Sequence, residues 1–176
     1  MKTLLAYSSG YGATKEISDR IASILRRDNL EVDVKPIDAL VSIDDYDTLI
    51  IGTTIRADKI VANVRDFIAR NVQGLTQKNL VIFSTSLTAH DRAGREKVKE
   101  SIFDQISTRY PKLKPVTVEA FGGKIDLENL NPVMQSYMKS VMKDVGLPAE
   151  GSIDTRDWQY IDAWANHLRK QLRLAA

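Results

Sequence analysis

The sequence predicts a three-layer α/β fold. It has a five-stranded parallel sheet of order 2-1-3-4-5, helices on both faces, and a helical insertion between strand 5 and the last helix. Three observations predict it. Short apolar runs alternate with segments whose apolar residues fall at helical spacing, the pattern of parallel strands joined by crossover helices. Five such runs occur, which suits the five-strand doubly wound order better than a six-strand one. The 176 residues suffice for one core of useful size, so residues 1–176 are read as a single domain.

Residues 3–7 form a short apolar run that ends in small polar residues, so they read as a buried strand. From Thr14 the apolar residues Ile17, Ile21, Ile24 and Leu25 fall on one helical face, and Asp28 and Asn29 close that helix. Val32 and Val34 alternate with Asp33 and Lys35, giving strand 2. Residues 48–52 give strand 3, and residues 53–58 a loop. Val61, Val64, Phe67 and Ile68 mark the next helix. Residues 80–83 give strand 4, followed by a polar loop over residues 84–88. The helix after it carries Val98, Ile102, Phe103 and Ile106 on one side and Arg92, Arg95, Lys97 and Lys99 largely on the other. Strand 5 spans residues 115–121 and ends at Gly122 and Gly123. The last helix is expected to start near Asp154 and Thr155, either of which can cap it. Ile161, Trp164, Ala165, Leu168 and Leu172 form its buried stripe.

Residues 124–153 break the alternation. An unstructured connection of that length is uncommon and often functional. Within it, Val133, Met134, Tyr137, Met138, Val141, Met142 and Val145 recur at helical spacing. Pro132 near the start and Gly146 near the end are where a helix accepts them. The insertion therefore carries an amphipathic helix. Its Met/Val face is either packed on its own domain or open to a ligand or a membrane.

Composition narrows the chemistry. At 43% hydrophobic and 27% charged residues, the chain falls in the ordinary globular range. With no cysteine, disulfides, Cys-ligated zinc, iron–sulfur clusters and thiolate catalysis are excluded. The two histidines, His90 and His167, are too few and too scattered for a metal site, so no metal is expected. The formal net charge is +2. Without a dense basic block, no nucleic-acid partner is expected. The N-terminus does not have the pattern of a signal peptide, and no run approaches the ~20 apolar residues of a spanning helix. The expected location is cytoplasmic, with the insertion helix as a candidate peripheral contact at the inner face of the membrane.

The loop after strand 1 is the candidate site. Ser9, Gly10, Tyr11, Gly12, Ala13 and Thr14 join a strand to a helix N-terminus, where backbone N–H groups, hydroxyls and the helix dipole favour an anion. The spacing is neither GxGxxG nor GxxxxGK[ST], which argues against a dinucleotide or a nucleoside triphosphate. Ser9-x-x-Gly12-x-Thr14 suits a monophosphate held by neutral donors, so FMN is the expected cofactor. Thr53, Thr54, Ile55 and Arg56 end strand 3 on the same sheet edge. Hydroxyls there fit the polar edge of a flavin, Ile55 its face, and Arg56 a flavin anion or an acidic substrate. Ser84, Thr85, Ser86, Leu87 and Thr88 close the other side, with Gly122 and Gly123 at the end of strand 5. A catalytic acid or base is not evident. His90 reads as a surface residue.

These residues also carry a resemblance. Residues 9–14 resemble the flavodoxin phosphate loop T/S-x-x-G-x-T, with Tyr11 where a further Thr is common. The chain is thus similar to the flavodoxin-like proteins, and within them to the quinone-dependent protoporphyrinogen IX oxidase branch. The opening through Ile17, the segment Gly52-Thr53-Thr54-Ile55-Arg56, the insertion around Tyr137 and Met138, and Asp154-Thr155-Arg156 carry that similarity. Residues 126–131 depart from it, being acidic and amide-rich where the branch is rich in Arg and aromatics. The resemblance implies FMN-dependent oxidation of protoporphyrinogen IX with a quinone as acceptor, and so a place in heme biosynthesis. A flavodoxin-type electron carrier and an NAD(P)H-dependent FMN or quinone reductase are the alternatives. The oligomeric state stays open, a homodimer being one candidate.

Overall fold

The structure is a computed structural model and describes residues 2–174. The parallel strands are β1 (Lys2–Tyr7), β2 (Glu31–Pro36), β3 (Thr48–Arg56), β5 (Asn79–Thr85) and β6 (Thr117–Phe121). They lie in the order β2-β1-β3-β5-β6, which in terms of the parallel strands is 2-1-3-4-5. A two-residue strand, β4 (Lys59–Ile60), pairs antiparallel with the end of β3. Helices α1 (Ala13–Leu25), α2 (Ala62–Leu75), α3 (Arg92–Arg109) and α5 (Trp158–Leu174) follow the strands.

Strand alternation makes the three layers. Leu4, Ala6, Leu49, Ile51, Leu80 and Ile82 point to one face and meet Val64, Phe67 and Ile68 of α2 and Val98, Ile102 and Ile106 of α3. Leu5, Ile50, Val81 and Phe83 point to the other and meet Ile17, Ile21 and Leu25 of α1 and Ile161, Ala165 and Leu168 of α5. Buried on both faces, these strands read as continuous apolar runs. On the α1/α5 side, Phe83, Phe121, Tyr160 and Trp164 form an aromatic cluster with ring centroids 5.4–6.4 Å apart. Arg95 of α3 lies 4.4 Å over the Tyr160 ring.

The insertion has its own order. β7 (Lys124–Asp126) and β8 (Ser152–Asp154) pair antiparallel and bracket α4 (Pro132–Asp144). Asn131 caps α4 by accepting the Met134 N–H at 2.9 Å, with Pro132 in the first turn. Ile125, Leu127 and Met142 bury a small core together with Leu87 from the main body.

The structure corrects three expectations. Residues 53–56 are strand, not loop, because β3 runs on beyond its parallel neighbours and turns back through β4. Phe103 is 54% exposed; it sits beside the α3 face that Val98, Ile102 and Ile106 bury. The last helix is capped by Asp157, whose carboxylate accepts the Tyr160 N–H. Asp154 and Thr155 are occupied elsewhere, Asp154 by Arg156 and Thr155 by the backbone of Gly123.

Candidate cofactor and substrate site

The C-terminal ends of β1, β3 and β5 open into a cavity of about 450 Å³, within the range of cofactor and small-molecule sites. Its floor is polar. Thr14 at the start of α1, Thr54 of β3 and Thr85 of β5 bring their hydroxyls together, Thr14 lying 3.0 Å from Thr54 and 2.8 Å from Thr85. Register explains the meeting, since Thr54 and Thr85 are cross-strand partners. Thr53 and Ser84 are partners one position earlier. They point to the opposite face and are fully buried, so they do not line the cavity.

The loop before α1 has the features an anion needs. Gly12 caps the helix at φ 88°, a left-handed conformation, and no side chain caps it. The first-turn N–H groups are therefore left for a ligand. Ser9 accepts the Gly12 N–H at 3.1 Å and fixes the turn. Ser9, Tyr11, Ala13 and Thr14 line the cavity. Gly10 does not: a Cβ there would collide with the Arg56 guanidinium. Arg56, which also lines the cavity, thus lies across the loop, 5.6 Å over the Tyr11 ring.

The remaining walls come from three places. Ile55, Ala57 and Asp58 belong to the β3–β4 hairpin; Ser86, Leu87 and Thr88 follow β5; and Gly123 begins the insertion. Gly122 stays outside, packed so closely on Thr155 that a Cβ would strike its carbonyl oxygen. Facing the strand ends, Tyr137, Met138, Val141 and Val145 of the insertion form an apolar wall. The Met/Val face is therefore divided: Met142 is fully buried in the insertion's core, and its neighbours face the cavity.

Sequence reasoning missed Lys97, Lys124, Ile125 and Asp144, which also line the cavity. No local pattern marks them, because each reaches the cavity only through the packing of α3 or of the insertion. His90 stays outside, its Nδ1 3.1 Å from the Leu87 carbonyl.

An ion-pair cluster flanks the loop. Arg156 reaches Glu16 of α1 at 2.6 Å and Asp154 of β8 at 2.6 Å. Its hydrogen bonds hold both carboxyls below the usual carboxylate range. Lys124 lies 3.7 Å from Glu16.

Residues 4–150 match the flavodoxin domain family. The chain belongs to that family. Over 96% of its length it is 23% identical to the protoporphyrinogen IX dehydrogenase (quinone) of Escherichia coli strain K12, covering 94% of that protein. A flavodoxin from the domain Archaea superposes with a TM-score of 0.55 at 14% identity, over 98% of this chain and 99% of that one. Flavodoxin 1 of Bacillus cereus gives 0.53 at 22% identity, over 70% and 85%. The rubredoxin oxygen:oxidoreductase of Desulfovibrio gigas gives 0.59 at 15% identity, over 99% of this chain and 37% of that one. Flavodoxin-family membership makes FMN the cofactor. The site fits it: an uncapped helix end for the phosphate, three converging hydroxyls and a cavity of suitable size. The family's general chemistry is electron transfer.

Proposed function

We propose that this flavodoxin-family chain is an FMN-dependent oxidoreductase that oxidises a porphyrinogen-type substrate, protoporphyrinogen IX, with a quinone as electron acceptor. The apolar wall that α4 sets across from the strand ends carries this reading. A carrier that docks to a protein partner gains from an exposed cofactor edge, whereas Tyr137, Met138, Val141 and Val145 set an apolar face across the cavity, which suits the apolar body of a small-molecule substrate.

FMN, when bound, supplies the redox chemistry, and the protein supplies position and electrostatics. Ser9, Thr14 and the first-turn N–H groups of α1 would hold the phosphate, and Thr54 and Thr85 would face the polar part of the ring system. Arg56 and Lys97 line the same cavity, and neither makes an ion pair with another described residue. Their charges suit the carboxylates of an acidic substrate. Among the described residues no helix is long and apolar enough to cross a membrane. Val133 of α4, 82% exposed, gives the insertion an outward apolar contact, and a peripheral approach to a quinone-bearing bilayer fits that placement.

The test is porphyrin fluorescence after mixing the purified chain with FMN, protoporphyrinogen IX and a quinone, with and without lipid vesicles. Quinone-dependent formation above the spontaneous background is expected. A rate equal to background would leave the carrier role of the family in its place.

A further inference from the structure

We infer that Arg156 is a positioning residue for the FMN phosphate, acting through Glu16, so that the far end of the insertion is part of the cofactor-binding machinery. The inference uses the FMN assignment and is independent of the substrate.

Glu16 lies in the first turn of α1, where the helix dipole favours a negative charge. That is also where the phosphate belongs. The Glu16 Oε1 atom stands 3.6 Å from the position a Cβ on Gly12 would take. A phosphate on this loop therefore meets a carboxylate at the helix end that attracts it. Left uncompensated, the two anions would repel each other across a short distance in a half-enclosed site.

Arg156 removes that conflict. Its side chain is only 4% exposed, although both carboxylates it holds are partly open to solvent. Nη1 donates to Glu16 Oε2 at 2.6 Å. The other edge of the guanidinium is fixed by Asp154, with Nε on Oδ1 at 2.8 Å and Nη2 on Oδ2 at 2.6 Å. The Trp158 ring lies 4.7 Å from the guanidinium carbon. Asp154 and Trp158 thus aim the guanidinium, and Glu16 receives it. With Lys124 beside Glu16, two cations balance two carboxylates. Arg156→Gln would leave one negative charge uncompensated at the phosphate loop.

Arg156 also rivets β8 to α1, and a purely mechanical role would weaken the binding of any flavin. Riboflavin separates the two roles because it has the ring but no phosphate. The experiment is a fluorescence titration of the flavin-free full chain with FMN and with riboflavin, for the wild type, Arg156→Gln, Glu16→Gln and the double variant. Arg156→Gln is expected to weaken FMN by about tenfold or more while leaving riboflavin nearly unchanged. Glu16→Gln alone is expected to tighten FMN. The double variant, with Asp154 balanced by Lys124, is expected to recover most of the lost FMN affinity. Equal losses for FMN and riboflavin, or no recovery in the double variant, would overturn the inference. Should Arg156→Gln fail to fold, Glu16→Gln decides alone, and unchanged FMN affinity there is the overturning result. A wild-type chain that binds neither flavin would refute the FMN assignment and this inference together, before any substitution is made.

Discussion

Gly12 shows how one residue sets the turn before α1. Its φ of 88° lies where a residue with a Cβ is strained and a β-branched one is an outlier. A Cβ there would find only Glu16 Oε1 within 4 Å, so the constraint is the backbone conformation rather than lack of room. Gly12→Val is expected to distort the turn and abolish measurable FMN binding; unchanged affinity in a fluorescence titration would place the phosphate elsewhere. Thr14 is the second such residue. Its hydroxyl joins those of Thr54 and Thr85, and it is 1% exposed. Thr14→Val keeps the shape and leaves two hydroxyls short of a partner, at a cost of about 1–3 kcal/mol. Chemical denaturation should register that loss, together with weaker FMN binding.

At the scale of elements, the insertion is a small structure attached at two seams. One seam is Gly122, Gly123 and Thr155, where the Thr155 N–H and hydroxyl both donate to the Gly123 carbonyl, at 2.9 and 3.0 Å. The other is Arg156 on Glu16. Between them, α4 rests on a core of four buried side chains, of which Met142 is fully buried. Met142→Ala removes the largest part that α4 contributes, at a cost of about 2–5 kcal/mol. Because that core is separate from the two that flank the sheet, the loss is expected to be local. Hydrogen exchange should rise across residues 124–154 while β1, β3 and β5 keep their protection. A uniform rise would mean that the insertion and the sheet unfold as one unit.

Over the whole molecule, charge sets the pH limits. Hydrogen bonds from Arg156 hold Glu16 and Asp154 below their ordinary range. A carboxyl depressed in the folded state stabilises the fold above its unfolded pKa of about 4, and this stabilisation disappears as pH falls through the folded value. Both groups are partly exposed, so their contribution is modest. The melting temperature should fall below about pH 4, and less steeply in Glu16→Gln. At the alkaline end, burial and then the charge of Glu119 push Tyr160 up to about 12. The unfolded chain loses this proton near pH 10 and the folded chain later, so stability should decline between about pH 10 and 12. Tyr160→Phe is expected to remove that part of the decline, as read from melting temperature against pH.

The sequence alone determined the layers, the strand order and the glycine turn that opens α1. Apolar runs at Leu4-Leu5, Leu49-Ile50-Ile51 and Leu80-Val81-Ile82, short and bounded by turn residues, read as strands buried on both faces, and the helical stripes, Phe103 excepted, say which residues cover them. The Ser9-x-x-Gly12-x-Thr14 spacing is likewise contained in six consecutive residues. Tertiary structure decided the rest. Alternation decided that Thr54 and Thr85 face the cavity while Thr53 and Ser84 do not, and that phase depends on where each strand crosses the sheet. Packing decided that Tyr137, Met138, Val141 and Val145 face the cavity while Met142 is buried, and that Lys97 reaches it from α3. It also brought Arg156 to Glu16 across 140 positions of sequence. Local periodicity reports which face of an element is apolar. It does not report what that face meets, because the partner is chosen by the whole chain folding around one sheet.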